Sequence, residues 1–444
     1  MSTILSLKKL NSFQRIILGF LSVILIGSFL LMLPFSSKSS NWTSFGNALF
    51  TSTSAVCVTG LVVRDTATYW SQFGQVVILL LIQIGGLGII SVAAVIASLS
   101  GRKISLLQRS ALQDCISAHE IGDVVMMTTF IFKVAFVIEF LGMIAMLPVF
   151  CSDYGARGIW MAFFHSISAF CNAGFDIMGH GTNTFVSLTR YSSNVIISLT
   201  ISLLIITGGI GFLVWSDIIR HKYHLKRYKM QSKVIIVTTA FLIVVPTIIF
   251  AFSDFSSYPL KKRLCLSFFQ AVTPRTAGFN TANLTAMSSI GRSLIIILML
   301  IGGSPGSTAG GMKTTTIAVL FSNAISVFRR KKSAKFFGRR IDDSTIKDAS
   351  TIMIMYICIP LTGAFIISGI EGLPIGDCLY ETASALGTVG LSLGLTPSLG
   401  HISHLILIMM MFWGRVGGLT LMFAALSKKT SEVSQYPVEK INVG

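Results

Sequence analysis

The chain has 444 residues, of which 52% are hydrophobic and only 12% are charged, and its mean hydropathy is +0.77. Because a soluble domain carries about 25% charged residues, this composition excludes a water-soluble enzyme and indicates an integral membrane protein. The net charge of +18 lies in the connections between apolar runs, so it does not indicate a nucleic-acid-binding domain.

The first apolar run extends from Ile16 to Phe35 and follows the basic residues Lys8, Lys9 and Arg15. A secretory signal begins in the same way, but this run is too long for one and lacks a small-residue cleavage site. About 20 apolar residues are enough to cross a bilayer as a helix. The run therefore predicts a transmembrane helix that is retained.

A shorter apolar stretch follows and ends at Gly60, and a second long apolar run comes after it. The same order recurs four times, which predicts four repeated units. The units cover residues 14–115, 121–222, 230–335 and 345–428, and residues 429–444 form a cytoplasmic C-terminal tail. The predicted fold is an all-α integral membrane protein, with eight transmembrane helices and four re-entrant pore helices around a central ion pore.

The four short stretches align around their last glycine. The stretches of units 1, 2 and 4 carry a Ser-Ala pair at the same distance before that glycine. The stretch of unit 3, which ends at Gly278, has a different sequence at these positions. The pairs are Ser54-Ala55, Ser168-Ala169 and Ser384-Ala385. A glycine cluster also lies 24 to 34 residues beyond each last glycine. Two motifs that recur in the same order support a genuine internal repeat.

Lys and Arg are concentrated on one side of the predicted membrane. Eight spans put both termini and three connections on that side, which holds 23 of the 35 basic residues. Basic connections face the cytoplasm, so both termini are predicted to be cytoplasmic. The most basic connection begins at Arg329-Arg330-Lys331-Lys332. It could bind acidic membrane lipids or a partner, or it could only determine the topology.

Each short stretch cannot cross a bilayer, so it predicts a re-entrant helix that returns as extended backbone. Such backbone persists at membrane depth only when it is buried in protein or lines a water-filled cavity. Glycine permits positive φ angles, and a ring of backbone carbonyl oxygens can replace the hydration shell of a potassium ion. The predicted ion-binding filter consists of Val58-Thr59-Gly60, Asn172-Ala173-Gly174, Thr276-Ala277-Gly278 and Thr388-Val389-Gly390.

Glycine and proline interrupt the second long run of the third unit. In a helix interior glycine costs about 1 kcal/mol and proline about 3 kcal/mol, so unwound backbone is predicted over residues 302–312. We place this segment just below the filter as a gate; a kinked helix with close glycine packing is the alternative. The predicted gate residues are Gly302, Gly303, Ser304, Pro305, Gly306, Ser307, Thr308, Ala309, Gly310, Gly311, Lys313 and Arg415.

Arg415 lies deep in the last apolar run, where a charge is expensive and indicates function. We expect it to anchor the glycine-rich segment through carbonyl groups and to resist cations; a purely structural tie between helices is the alternative. The segment before Lys313 superficially matches a phosphate-binding loop, but one residue is inserted and no β-strand precedes it. No organic cofactor is predicted in this chain, and the scattered cysteines predict no metal site.

The four-unit plan and three motifs resemble the Ktr/Trk/HKT superfamily of potassium transporters. The motifs extend from Gln270 to Asn280, from His165 to Phe175 and from Gly387 to Leu391. Length and the short N-terminus most resemble the membrane subunits of bacterial Ktr systems. The resemblance implies potassium uptake, often stimulated by sodium, with one filter glycine in each unit and an intramembrane gating loop in the third. It also implies a homodimer on a separate cytosolic nucleotide-binding regulatory ring, similar to KtrA or KtrC.

Three alternatives to potassium uptake stay open. A sodium transporter or a less selective monovalent cation transporter of this architecture fits, because the sequence lacks the second glycine of a long potassium-channel filter. An intramembrane enzyme would need a nucleophile with its base or clustered metal ligands, and the sequence offers neither. A secondary transporter of organic solutes would usually show two inverted halves, whereas four units of like orientation fit a central pore.

Four charged residues lie inside or beside the apolar segments. Lys133 and Glu139 share one run, and each is expected to find a partner on a neighbouring helix. Glu381 opens the fourth short stretch, where it either adds negative potential near the ion path or forms buried hydrogen bonds. Arg275, beside the third filter triplet, is expected to brace the re-entrant backbone.

Overall fold

The structure, a computed structural model, describes residues 12–89, 91–92 and 124–418. The predicted tail at 429–444 lies outside these residues, as do the last parts of the first and fourth units. Within the described ranges the chain is helical except for its turns and one antiparallel hairpin, which pairs Lys335–Phe336 with Arg339–Arg340. The described 3₁₀ helices are Pro34–Ser36, Thr189–Tyr191, Leu225–Arg227, Leu284–Ala286 and Thr396–Ser398, and Thr66–Tyr69 forms one α-helical turn.

Every unit begins with a long helix, called here its first span. The first spans are Ser12–Met32, Val124–Tyr154, Met230–Phe252 and Asp343–Glu371. All four are long and apolar enough to cross a membrane. Each also exposes a phenylalanine by about 60%, as expected for a surface that meets lipid acyl chains. These residues are Phe29, Phe140, Phe241 and Phe365.

A short helix follows each first span and packs against it. These re-entrant helices are Phe45–Val56, Arg157–Phe170, Leu260–Val272 and Ile375–Gly387. Their lengths are 12, 14, 13 and 13 residues, well below the roughly 20 that a bilayer requires. Their C-terminal ends are largely buried, and those of units 1, 2 and 4 carry hydroxyl groups, as in the run from Thr51 to Ser54. The ends of these helices therefore bring hydroxyl groups into the interior, whereas the first spans expose apolar side chains.

In the part of the chain that the structure describes, the helices of the second spans end or bend at glycines, or in unit 3 at the glycine-rich segment. They comprise Gln72–Leu87, Val195–Gly209 with Phe212–His221, Ser289–Leu300 with Thr314–Phe328, and His401–Val416. Gly88, Gly211 and Gly417 stand at the breaks with φ angles of 87°, 97° and 92°, which a residue with a Cβ adopts only under strain. The two helices of unit 2 meet at 96°. In unit 3, residues 301–313 separate the two helices instead.

Candidate functional site

The four glycines that end the filter triplets lie side by side. A Cβ atom added to any of them would collide with a carbonyl oxygen of the next unit. The distances from that Cβ to the oxygen are 2.5 Å for Gly60 and Ala173, 2.5 Å for Gly174 and Ala277, 2.2 Å for Gly278 and Val389, and 2.2 Å for Gly390 and Thr59. The contacts run from unit 1 through units 2, 3 and 4 and back to unit 1. The triplets therefore form a closed ring that only glycine fits.

Each triplet begins with a residue in left-handed backbone conformation, although none of these residues is glycine. Their φ angles are 57° for Val58, 58° for Asn172, 70° for Thr276 and 51° for Thr388. The glycines that end the triplets have φ angles of 67° to 92°, and no middle residue has a positive φ. A β-branched residue in this region is strained by about 1–3 kcal/mol. Val58, Thr276 and Thr388 carry this strain, whereas asparagine adopts the region more readily. The shared positive φ at four equivalent positions indicates that the surrounding packing imposes one backbone geometry on every unit.

The ends of the re-entrant helices hold the triplets in place. In units 1, 2 and 4 the middle residue of the triplet donates from its N–H to the carbonyl of the serine five positions earlier, at 2.8 Å. The pairs are Thr59 with Ser54, Ala173 with Ser168, and Val389 with Ser384. In unit 3 the turn is one residue shorter, and Ala277 bonds to the carbonyl of Thr273 at 3.0 Å. Units 1, 2 and 4 share both the Ser-Ala pair and the longer turn, and unit 3 lacks both. The presence of the Ser-Ala pair thus corresponds to the length of the turn.

The hydroxyl groups of these residues form a second set of bonds. Ser54 and Ser384 accept from the N–H of Gly60 and Gly390 at 3.0 Å. In units 2 and 3 the corresponding hydroxyl instead donates to the carbonyl just after the filter glycine. These bonds join Ser168 to Phe175 at 2.7 Å and Thr273 to Phe279 at 2.6 Å. Buried hydroxyls therefore orient the peptide groups around every filter glycine.

The glycine-rich segment of unit 3 lies against one side of the ring. A Cβ atom added to Gly310 would lie 2.1 Å from Oγ1 of Thr388, the first residue of the fourth triplet. One added to Gly311 would lie 3.0 Å from the Gly387 carbonyl oxygen. The interrupted helix thus brings extended backbone into contact with the filter itself.

Backbone hydrogen bonds join this segment to the break in the second span of unit 2. Ser304 donates from its N–H to the Gly209 carbonyl at 2.9 Å, and Phe212 donates to the Gly306 carbonyl at 2.7 Å. The Thr308 hydroxyl donates at 3.0 Å to the carbonyl of Phe170, the last residue of the second re-entrant helix. The segment therefore occupies the corner left open where the span of unit 2 bends.

Two cationic side chains hold the segment, one from unit 3 itself and one from unit 4. Lys313 donates from Nζ to the Ala309 carbonyl at 2.8 Å. Arg415 of unit 4 donates to the carbonyl of Thr308 and also to those of Gly85 and Gly86 in unit 1. One guanidinium group thus joins units 1, 3 and 4.

Two cavities border this arrangement on opposite sides. The first, on the side of the return strands and called here the outer cavity, has a volume of about 290 Å³ and touches all four glycines of the predicted filter. The other has a volume of about 310 Å³ and is lined by the glycine-rich segment, by Lys313 and Arg415, and by Gly88 and Gly417 at the helix breaks. Between the two cavities lie the ring and the segment beneath it.

Two buried residues hold the return strands beside the predicted filter: His165, which sequence reasoning missed, and Glu381, whose role it left open. His165 and Glu381 both stand nine positions before their filter glycine, a shared register that could have revealed them. His165 accepts the Ile177 N–H at 3.4 Å. Glu381 accepts the Leu393 N–H at 3.0 Å and the hydroxyls of Ser392 and Thr396 at 2.7 and 2.6 Å. Of the two predicted roles for Glu381, the structure therefore favours buried hydrogen bonding.

The other charged residues differ in their surroundings. Glu139 is buried and accepts hydrogen bonds from the Gln83 amide of unit 1 at 3.0 and 3.2 Å, so it has the predicted partner on a neighbouring helix. Lys133 is exposed. Arg275 is buried, but its Nε has no hydrogen-bond partner among the described residues. The predicted brace by this arginine is therefore not seen there.

Comparisons with known proteins agree over nearly the whole chain. Residues 5–435 match the sequence model of the TrkH family, described as a cation transport protein. The chain is 39% identical over 449 residues to the potassium/sodium uptake protein NtpJ of Enterococcus hirae, covering 98% of each protein. It is 36% identical over 439 residues to the Ktr system potassium uptake protein B of Bacillus subtilis, covering 97% of this chain and 96% of that protein.

The fold has a close counterpart among solved structures. The crystal structure of the potassium transporter TrkH from Vibrio parahaemolyticus superimposes with a TM-score of 0.71, covering 93% of this chain and 85% of that one. The sequence identity is 20%, so this likeness concerns the fold alone. It confirms the predicted all-α membrane fold.

Proposed function

The chain belongs to the TrkH family of cation transport proteins, and we propose that it takes up potassium across the cell membrane through the ring of four filter glycines. Family membership makes it a multi-pass membrane transporter and confirms that it is not an enzyme. The observation that carries the potassium pore is the closed ring of Gly60, Gly174, Gly278 and Gly390, each in contact with a carbonyl of the next unit.

In this proposal, backbone carbonyl groups of the four triplets replace the water around a dehydrated potassium ion. The φ angle of each triplet is positive at its first residue and its glycine and not at its middle residue, an alternation that lets successive carbonyls face one axis. The re-entrant helices add the negative ends of their dipoles from four directions. Together these groups provide negative potential without a carboxylate inside the filter.

The glycine-rich segment from Gly302 to Gly311 acts as the gate. Its support is position, because Gly310 touches the filter residue Thr388. It is held by hydrogen bonds to the broken span of unit 2 and by Lys313 and Arg415. Opening requires these bonds to break, and both cationic side chains oppose an ion that rests below the filter.

Regulation comes from outside this chain. The Bacillus relative is named as protein B of a Ktr system, and such a name implies further components. We assign to this chain a homodimeric state and a cytosolic nucleotide-binding ring as its regulatory partner, with both termini on the cytoplasmic side. Sodium acts as an activator.

The second candidate function is uptake of sodium, or of monovalent cations with little selectivity, by the same pore. Two observations support this second candidate. Each unit contributes a single filter glycine, in contrast to the longer potassium-channel filter, and the Enterococcus relative is named a potassium/sodium uptake protein. The two candidates differ in one measurable quantity, the ratio of rubidium to sodium flux.

The test is tracer uptake of rubidium and sodium into vesicles that contain the purified protein, with Gly278→Ser as the variant. Gly278 has a φ of 78°, and a Cβ atom there would lie 2.2 Å from the Val389 oxygen. We expect the rubidium flux to fall and the ratio of rubidium to sodium flux to change. Unchanged fluxes with an unchanged ratio would refute the filter assignment.

The matched control is Gly338→Ser in the cytoplasmic hairpin. Gly338 has a φ of 80°, nearly equal to that of Gly278, but nothing lies within 4 Å of an added Cβ. Both substitutions therefore carry the same backbone strain, and only one of them touches the ring. Gly338→Ser is expected to leave both fluxes within about twofold of the wild type.

A further inference from the structure

The outer cavity above the glycine ring is lined by negative charge. Two carboxylates, Asp65 and Asp176, border it together with the four filter glycines. Among the described residues that line it, none is Lys, Arg or His. A concave site lined by one sign of charge concentrates ions of the opposite sign. The lining of this cavity therefore favours a cation over an anion.

One residue of every unit lines the cavity two positions after the filter glycine. These residues are Val62, Asp176, Asn280 and Ser392. In units 2 to 4 the side-chain oxygen accepts a hydrogen bond from the backbone N–H two residues further on. The distances are 3.1 Å from Met178 to Asp176, 3.0 Å from Ala282 to Asn280, and 2.9 Å from Gly394 to Ser392. Three units thus hold a side-chain oxygen in the same register beside the ion path.

We propose that this cavity holds a monovalent cation, bound by the side-chain oxygens of Asp176, Asn280 and Ser392 before the ion enters the filter. Acidic side chains near a pore select and concentrate cations in this way. The inference rests on the proposed function, because the glycine ring below gives the ion its onward path. Unit 1 has the apolar Val62 at this position, so it contributes no side-chain oxygen to the site.

Asp176 is the residue on which the affinity of this site depends. The oxygens of Asp65 already accept three hydrogen bonds, two from Thr68 and one from the Phe185 N–H. Asp176 accepts the Met178 N–H and contacts the Ser187 hydroxyl, and a carboxylate has further lone pairs for an ion. Burial, with a smaller contribution from the Asp65 charge, raises the pKa of Asp176 to about 7. A bound cation would offset that unfavourable burial of charge.

The experiment uses the similar backbone turns that units 2 and 3 form at the residue two positions after the filter glycine. Asn280 makes the same turn as Asp176, so Asp176→Asn preserves the backbone geometry and removes only the charge. The measured quantity is the rubidium concentration that gives half-maximal uptake into vesicles containing the purified full chain. We expect Asp176→Asn to raise it about tenfold, as loss of one nearby charge would, with little change in the maximal rate.

The reciprocal variant, Asn280→Asp, adds a carboxylate at the equivalent position and should lower the half-maximal concentration. The double variant moves the charge from unit 2 to unit 3 and should restore a value within about threefold of the wild type. A purely structural role of Asp176 predicts no such restoration. The control for surface charge is Asp377→Asn, because Asp377 is half-exposed, pairs with Arg292 at 3.6 Å and does not line the cavity.

Two results would overturn the site. One is a half-maximal concentration within twofold of the wild type in Asp176→Asn; the other is an equal shift in Asp377→Asn. If Gly278→Ser still alters the flux ratio in the same preparation, only the outer site is refuted. If Gly278→Ser has no effect either, the proposed filter is wrong as well.

Discussion

Units 1, 2 and 4 fold their second spans in one way, and unit 3 folds its own in another. In units 1, 2 and 4, a glycine of the second span lies against the carbonyl of the residue four positions before the filter glycine. A Cβ atom would lie 2.0 Å from that oxygen at Gly85, 1.9 Å at Gly208 and 2.0 Å at Gly414. Three residues later each span breaks at another glycine with a φ near 90°. Unit 3 has the extended segment at this level instead.

The difference separates a scaffold shared by three units from the segment that we propose as the gate. The three glycine contacts fix the second spans to the re-entrant helices, backbone against backbone, with no side chain to rearrange. The segment of unit 3 is held by separate hydrogen bonds to units 2 and 4, some of them through side chains. Arg415 of unit 4 also bonds to Gly86 of unit 1. Such bonds break one at a time, whereas close backbone packing does not yield gradually.

The largest expected effect is obtained by breaking the scaffold of the three like units. Gly85→Ala would drive a Cβ into the Val56 carbonyl at 2.0 Å, so we expect a loss of at least about 3 kcal/mol of stability. The measurement is the thermal unfolding midpoint of the purified protein in detergent. Gly369→Ala is the control, because Gly369 lies in the fourth first span with nothing within 4 Å of an added Cβ. It should change stability by no more than about 1 kcal/mol.

Equal midpoints for these two alanine variants would mean that the backbone contact does not hold the scaffold together.

The second expected effect concerns the segment of unit 3. Arg415→Ala removes the charged hydrogen bonds to Thr308 and to Gly86. A hydrogen bond to a charged group contributes about 1.5–3 kcal/mol, so we expect the resting rubidium flux to rise by about tenfold. Arg292→Ala, which removes a partly exposed arginine that pairs with Asp377 and does not bond to the segment, should leave the flux unchanged. A lower unfolding midpoint with unchanged flux would identify Arg415 as a structural tie and not as part of a gate.

The smallest expected effect concerns the outer cavity, where the units differ in the residue two positions after the filter glycine. Only unit 2 has a carboxylate there, that of Asp176. Because the pKa of this carboxyl is raised to about 7, it is mostly charged at pH 8 and mostly neutral at pH 6. The carboxylate of Asp65 faces it across the cavity. We expect the half-maximal rubidium concentration to rise about fivefold as the outer pH falls from 8 to 6.

In Asp176→Asn this pH dependence should disappear while the shifted affinity stays constant. A pH profile that is the same in both proteins would assign the titration to another group.

Much of the architecture follows from local patterns. The first spans could be predicted from the sequence because a helix that crosses a bilayer needs about 20 apolar residues, whatever surrounds it. The re-entrant helices were readable because they are too short to cross and end at aligned glycines. The interruption after Leu300 followed from the low helix propensity of glycine and proline, and the helix indeed stops there. The breaks at Gly88, Gly211 and Gly417 were not predicted, because the glycine clusters that contain them served only as evidence of the repeat and glycine is tolerated in many helices.

The sequence by itself determined which segments could lie in lipid, how often the unit recurs and which glycines stand in equivalent positions, because these depend on hydrophobicity and backbone freedom within a short window. Only the tertiary structure decided that the glycine of each unit touches the carbonyl of the next, that Arg415 reaches Thr308 and Gly86, and that Glu381 accepts bonds from its own return strand. Such contacts join residues up to more than 300 positions apart. They depend on the packing of several helices at once, and no local pattern encodes that packing.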